Sequence, residues 1–281
     1  MGSYDRDYST PPRQRMVPGL TPVTKWLLIS NLVIFFADML LFRYRIVNFS
    51  AFAVRSAIFE GRIWEFITFQ FMHASVGHVL FNSIGLYFFG PWMERWWGPG
   101  RFLIFYLLCG VAGAAFFSLL VFTHVLGDSY ITELVGASAG IYGILIGVAV
   151  VAPNMRVQML FPPIEMSLRT FAIAILAIAV GSIVLRLGGN EGGEAGHLGG
   201  AILGFLLVRY PFLLGKGDHD GILPPSWKRR QAQTESKLRP RTSVDLHTSN
   251  EIDRILDKIN REGLQSLTEE ERDTLRKASN S

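Results

Sequence analysis

One cysteine, Cys109, stands among 281 residues, so no intrachain disulfide can form and no redox compartment is indicated. Charge is scarce as well. Asp, Glu, Lys and Arg make up 18% of the chain, against about a quarter in an ordinary soluble domain. The shortage is uneven: residues 102–122 and 136–152 carry no charged side chain, whereas the chain beyond residue 214 is crowded with them. That distribution excludes a uniformly soluble globular protein and describes a polytopic membrane protein with a soluble tail. A targeting signal is not expected either. The first 25 residues are polar and contain Asp5 and Asp7, unlike a secretory signal peptide or an acid-poor transit peptide. Arg6 occupies the position where N-myristoylation of Met1-Gly2-Ser3 would need Ser or Thr. The first apolar segment is therefore expected to be retained.

Six apolar segments are present, at roughly 24–42, 76–93, 102–122, 136–152, 170–187 and 196–214. Each approaches the ~20 residues that a helix needs to cross the hydrocarbon core. The fourth is the shortest, and Pro153-Asn154 should end it. If it starts at Gly136, Ser138 lies in its first turn, below a water-filled depression. Arg13, Arg15 and Lys25, then Arg95 and Arg101, Arg156 and Arg169, and Lys228 to Arg230 all fall on one side. The positive-inside rule makes that side cytoplasmic and both termini cytoplasmic with it, as expected of a multi-pass protein of a bacterial cytoplasmic membrane. Arg43, Arg45, Arg55 and Arg62 in the connection 43–75 disagree and are outweighed. That connection is rich in Phe and holds Trp64, and is expected to lie partly in the membrane interface.

The predicted organisation is a tail over 1–22, a six-helix all-α bundle over 23–214, a basic linker over 215–247 that meets anionic lipid, and a small cytoplasmic helical hairpin over 248–281. Two capping boxes, Thr248-x-x-Glu251 and Thr268-x-x-Glu271, flank a turn at Gly263 and open the two helices of that hairpin. Nothing in the tail resembles a site, and its partner is unknown. The lipid bilayer is an expected partner of the bundle; nucleic acid is not.

The chemistry lies in three segments. Gly136-Ala-Ser138-Ala-Gly140 opens the fourth, and Gly196-His197-Leu-Gly199-Gly200 opens the sixth. A serine hydroxyl is a poor nucleophile at neutral pH and needs a base within hydrogen-bond reach, which His197 supplies if the two helices pack closely. Gly136-x3-Gly140 and Gly143-x3-Gly147 on one, and Gly196-x3-Gly200-x3-Gly204 on the other, favour that approach. His78 and Asn82, at i and i+4 on the second segment, offer donors for a developing oxyanion. Each feature has a plainer explanation. Gly-x-Ser-x-Gly is common as packing sequence in membrane helices, and the soluble hydrolase elbow needs a preceding strand that is not evident. An intramembrane histidine is often an interhelical donor or part of a proton path. His73 and His78, five apart, do not share a helical face, and His-Glu-x-x-His does not occur, so no metal or other cofactor is expected.

In combination, His73-x4-His78-x3-Asn82, Gly136-x-Ser138-x-Gly140 and Gly196-His197-x-Gly199-Gly200-x3-Gly204 resemble the rhomboid intramembrane serine proteases over about residues 20–214. The resemblance implies that Ser138 is the nucleophile and His197 the base, with no acidic third member. It places His78 and Asn82 in the oxyanion hole and Tyr142 against the catalytic histidine, with His73 in support. It implies hydrolysis of a peptide bond in or beside a transmembrane segment of another membrane protein, through an acyl-enzyme. Glu94-Arg95-x-x-Gly98 matches a structural turn of the family. One departure stands out: relatives often have Trp-Arg where this chain has Trp64-Glu65. The alternatives are a non-proteolytic rhomboid-like protein that binds membrane clients, and a transporter with a histidine proton path. The transporter would call for acidic residues in the crossings, where only Asp38 is found.

Overall fold

Each apolar segment folds as a helix in the computed structural model, which describes residues 19–159, 163–214 and 243–279. The chain divides into two units at Pro224 and Pro225. In the first, α1 (Pro22–Ala37) opens with proline, whose missing N–H is not needed at that position. Its remaining free amides are satisfied from a distance. The buried Glu94 carboxylate accepts from the backbone amides of Val23 and Thr24, both at 2.8 Å, and from the hydroxyls of Thr21 and Thr24. The neighbouring Arg95 donates to the Gly19 carbonyl at 3.1 Å. At its other end α1 runs into a π-helical turn, Asp38–Phe42. Asp38 accepts from the amides of Ile46 and Val47 at 2.8 and 3.0 Å and so caps α2 (Arg45–Ser50). The one acidic residue of the first apolar segment is thus a helix cap.

Residues 43–75 fold back on the bundle through α2, a π turn at Arg55–Phe59, α3 (Glu65–Thr68) and a 3-10 turn at Phe69–Phe71. Phe52 and Phe69 are buried with Phe117 and Leu134, while Phe49, Phe59 and Ile63 face outward. Glu65, fully buried, accepts from Ser56 Oγ at 2.5 Å and Ala53 N at 3.3 Å, and its other oxygen lies 3.0 Å from Arg62 Nε. Arg62 also donates to the Phe49 carbonyl at 2.5 Å and lies over the Phe49 and Trp64 rings. Glu65 is therefore an internal acceptor, paired with the guanidinium of Arg62 three residues earlier.

The remaining helices are α4 (Val76–Trp97), α5 (Pro99–Phe122), α6 (Ser138–Val151), α7 (Leu168–Leu185) and α8 (Glu191–Arg209). Among the described residues three spans, Pro22–Phe42, Pro99–Phe122 and Leu168–Leu185, are long and apolar enough to cross a membrane, and Ser138–Val151 is apolar but shorter. α6 is buried along nearly its whole length, packed against α4, α5 and α8. Its approach to α8 is backbone on backbone. A Cβ on Gly200 would collide with the Ala139 carbonyl oxygen, and one on Gly204 would fall 2.6 Å from Gly143 Cα. Small residues on both helices permit that closeness.

Three expectations need correction. α8 begins at Glu191, five residues ahead of 196, because Glu191 and Glu194 favour the positive end of a helix and the glycines between them do not prevent it. The bundle is not wholly helical: β1 (Arg156–Gln158) and β2 (Glu165–Ser167) pair antiparallel between α6 and α7, with Val157 opposite Met166. In the second unit α9 (Ser243–Glu262) starts before Thr248, so Thr248-x-x-Glu251 lies inside a helix rather than at its start. The second box forms as expected at α10 (Glu269–Ser279): Glu271 N donates to Thr268 Oγ1 at 3.3 Å, and Thr268 N to Glu271 Oε2 at 3.0 Å. Gly263, at φ 83°, makes the turn, and Lys258 Nζ donates to Glu271 at 2.9 Å. Most of the expected 1–22 tail and 215–247 linker lies outside the described residues.

Candidate active site

Ser138 is the first residue of α6, and the chain leading to it is tied down by backbone hydrogen bonds. Phe52 and Leu134 exchange two, at 3.0 and 2.7 Å, Arg55 N donates to the Tyr130 carbonyl at 2.9 Å, and Gly136 N to the Phe69 carbonyl at 2.9 Å. The folded-back segment 43–75 thereby sets the height at which α6 starts. Gly136 has φ 122°, a conformation that L side chains rarely adopt. The amide of Ser138 belongs to the first turn of a helix, where no intrahelical acceptor exists and the dipole is positive.

His197 is in the second turn of α8. Its Nε2 lies 2.8 Å from Ser138 Oγ and its Nδ1 3.0 Å from Glu194 Oε2. Tyr142, one turn beyond Ser138, stacks on the imidazole with ring centroids 4.2 Å apart and planes 10° from parallel. The serine, the histidine and the tyrosine that the sequence singled out are thus brought together. Glu194 was not among them. Its signal is an acid three residues before His197, the i, i+3 spacing of helical neighbours.

His78 and Asn82 reach the same place from the first two turns of α4. A Cβ on Gly136 would lie 2.6 Å from His78 Nε2 and 3.3 Å from Asn82 Nδ2. Ser75 caps α4 by accepting from His78 N at 3.1 Å. Ala74 N donates to His78 Nδ1 at 3.4 Å, which leaves the ring proton on Nε2, the atom facing Gly136. Asn82 Nδ2 is buried and has no hydrogen-bond partner among the described residues. A buried donor left unpaired is unfavourable enough to call for an explanation, and a charge forming beside it during a reaction is one. His73 stands apart from the Ser138–His197 pair. It is buried and meets His78 edge-on, with centroids 5.1 Å apart. Burial, with the proximity of His78 added, pushes its pKa down to about 4, and the nearby Phe71 backbone opposes that shift only in part. His73 is therefore neutral near pH 7. Among the described residues no three His, Cys, Asp or Glu side chains gather as metal ligands would.

A bundle of apolar helices whose buried central member begins with a serine hydrogen-bonded to a histidine defines a helical membrane protein with a serine–histidine pair at a helix N-terminus. The Rhomboid domain family matches residues 60–213, and the chain belongs to the rhomboid family and is an integral membrane protein. Residues 246–281 match a family of unknown function, DUF6576. Rhomboid protease GluP of Bacillus subtilis (strain 168) is 31% identical over 150 residues, 53% of this chain and 26% of the relative. RHOMBOID-like protein 12, mitochondrial, of Arabidopsis thaliana is 31% identical over 156 residues, 50% of this chain and 44% of the relative. Rhomboid protease AarA of Providencia stuartii is 26% identical over 236 residues, 74% of this chain and 78% of the relative. The matched region is thus about a quarter of the first of these relatives and under half of the second.

Proposed function

We propose that the chain is an intramembrane serine endopeptidase that cleaves transmembrane segments of other membrane proteins, with Ser138 as nucleophile and His197 as general base. Six helices, α1 and α4 to α8, form its crossings. Lys25, Arg95, Arg101, Arg156, Arg169 and Arg209 then lie at helix ends of one polarity, the cytoplasmic one, with both termini on that side. The N-terminus of α6, and with it Ser138, opens toward the opposite face. The 14-residue α6 is short for a crossing, which sinks that terminus below the membrane surface. Residues 23–214 are the protease unit, and the helices α9 and α10 that follow from Ser243 are an appendage.

The observation that carries this reading is the 2.8 Å contact between Ser138 Oγ and His197 Nε2. As Oγ attacks the scissile carbonyl carbon, its proton passes to Nε2 and the carbonyl oxygen becomes an oxyanion. The Ser138 amide, His78 Nε2–H and Asn82 Nδ2–H are the donors for that charge, and such preorganised donors often supply the largest part of catalysis. Collapse breaks the C–N bond, and the imidazolium returns its proton to the leaving amine. Water, deprotonated by His197, then hydrolyses the ester and restores Ser138. Relatives whose names include "rhomboid protease" support the reaction class. The test is cleavage of a model transmembrane substrate in proteoliposomes. Ser138→Ala should abolish it while yield and thermal unfolding stay unchanged; cleavage at the wild-type rate would remove the assignment.

A further inference from the structure

Glu194 precedes His197 by one turn of α8, and its carboxylate meets the edge of the imidazole opposite the serine, with Oε2 3.0 Å from Nδ1. A carboxylate only accepts hydrogen bonds, so this contact requires the proton of a neutral imidazole to sit on Nδ1. Nε2 then keeps its lone pair, and only that tautomer can accept the Ser138 hydroxyl proton across 2.8 Å. The two contacts select a single proton arrangement for three side chains. Tyr142 covers one face of the ring, so Glu194 at the edge leaves the imidazole little freedom to rotate. The side chains of His197 and Glu194 are only 15% and 18% exposed, so solvent screens the pair incompletely.

We propose that Glu194 is a positioning residue that completes a Ser138–His197–Glu194 triad, a step beyond the two-residue site that the family resemblance implies. The proposal rests on Ser138 being the nucleophile for its kinetic consequence, and on geometry alone for the tautomer. Glu194 holds the proton on Nδ1 before reaction and stabilises the imidazolium formed when Nε2 takes the serine proton; its own carboxylate is not protonated in the step. The plainer role for an acid in the first turn of a helix is to favour the positive end of the dipole, and Glu191 has that role equally available. Glu191 is therefore the control.

The experiment compares Glu194→Gln, Glu194→Ala and Glu191→Gln in the full chain, by kcat and KM on a model transmembrane substrate, thermal unfolding, and the 15N spectrum of histidine-labelled protein. The His197 resonances are identified by their loss in His197→Gln. Glu194→Gln should lower kcat by about tenfold to a hundredfold with KM nearly unchanged. It should not rescue relative to alanine, because an amide can donate to Nδ1 and favour the wrong tautomer. Glu191→Gln should keep the wild-type kcat while matching any loss of thermal stability. In the 15N spectrum the wild type should show His197 protonated at Nδ1, and Glu194→Gln should shift it toward Nε2. Wild-type kcat in Glu194→Gln, or a tautomer indifferent to the substitution, overturns the proposal. A wild type that cleaves nothing counts against the protease assignment instead, and the spectrum still decides the role of Glu194.

Discussion

Tyr142 lies flat against His197, at 4.2 Å between ring centroids, from the helix that also carries Ser138. Ser138 and the stacking ring both come from α6, so the imidazole of α8 is held on one side by a hydrogen bond and on one face by an aromatic plane. Stacking of this kind is worth about 0.5–1.5 kcal/mol beyond burial. Tyr142→Ala should therefore lower kcat by up to about tenfold, whereas Tyr142→Phe keeps the plane and should stay within about twofold of wild type. Equal rates for the alanine and phenylalanine variants would show that the ring does not orient the histidine.

Gly136 is required twice, by its φ of 122° and by the space that His78 Nε2 and Asn82 Nδ2 occupy beside it. Gly136→Ala should push both donors out of register with the start of α6 and lower kcat by about a hundredfold, in the range seen when an oxyanion donor is lost. Asn82→Ala should likewise act on kcat more than on KM. A change confined to KM would reassign Asn82 to substrate binding.

The cap of α1 lies on another helix, since Thr21 makes no side-chain cap bond to its own helix and Glu94 accepts from its amides instead. Glu94→Ala leaves those amides unpaired and should destabilise the bundle by about 1–3 kcal/mol. Thermal unfolding in detergent reads this directly, and an unchanged midpoint would mean that the cap contributes nothing.

His73 introduces a pH dependence of stability. Its pKa is pushed down to about 4 in the folded protein, against about 6.5 unfolded, so the unfolded chain binds the proton more readily between those values. The stability from burying the neutral ring is complete above about pH 6.5 and is lost as pH falls toward about 4. Wild-type unfolding midpoints should fall across that window, and His73→Phe should flatten the fall. Parallel curves for the two proteins would place the acid sensitivity elsewhere.

How much of this was legible in the sequence varied with the kind of signal. The uncharged run after Gly136 and the stop at Pro153 located α6, and glycine spacing on two segments anticipated the contact of Gly200 with Ala139 and of Gly204 with Gly143. Close packing of apolar helices leaves periodic marks. Pairings between single polar residues do not. Nothing local marked Glu94 as the cap of α1, 70 residues away, or Glu65 as the acceptor for Arg62 and Ser56. Three-residue strands are too short to show alternation, so β1 and β2 went unanticipated. Glycines at 192, 193 and 196 are poor helix formers, so neither the first turn of α8 nor Glu194 within it stands out from the apolar segment that begins at 196.

The most direct test of the central claim is covalent labelling of the purified protein in detergent with a fluorophosphonate, read by mass spectrometry of the intact chain and of its peptides. One adduct should form, on the peptide containing Ser138, and both Ser138→Ala and His197→Ala should suppress it. Failure of the wild type to react, or an adduct that persists in Ser138→Ala, would contradict the assignment of Ser138 as an activated nucleophile.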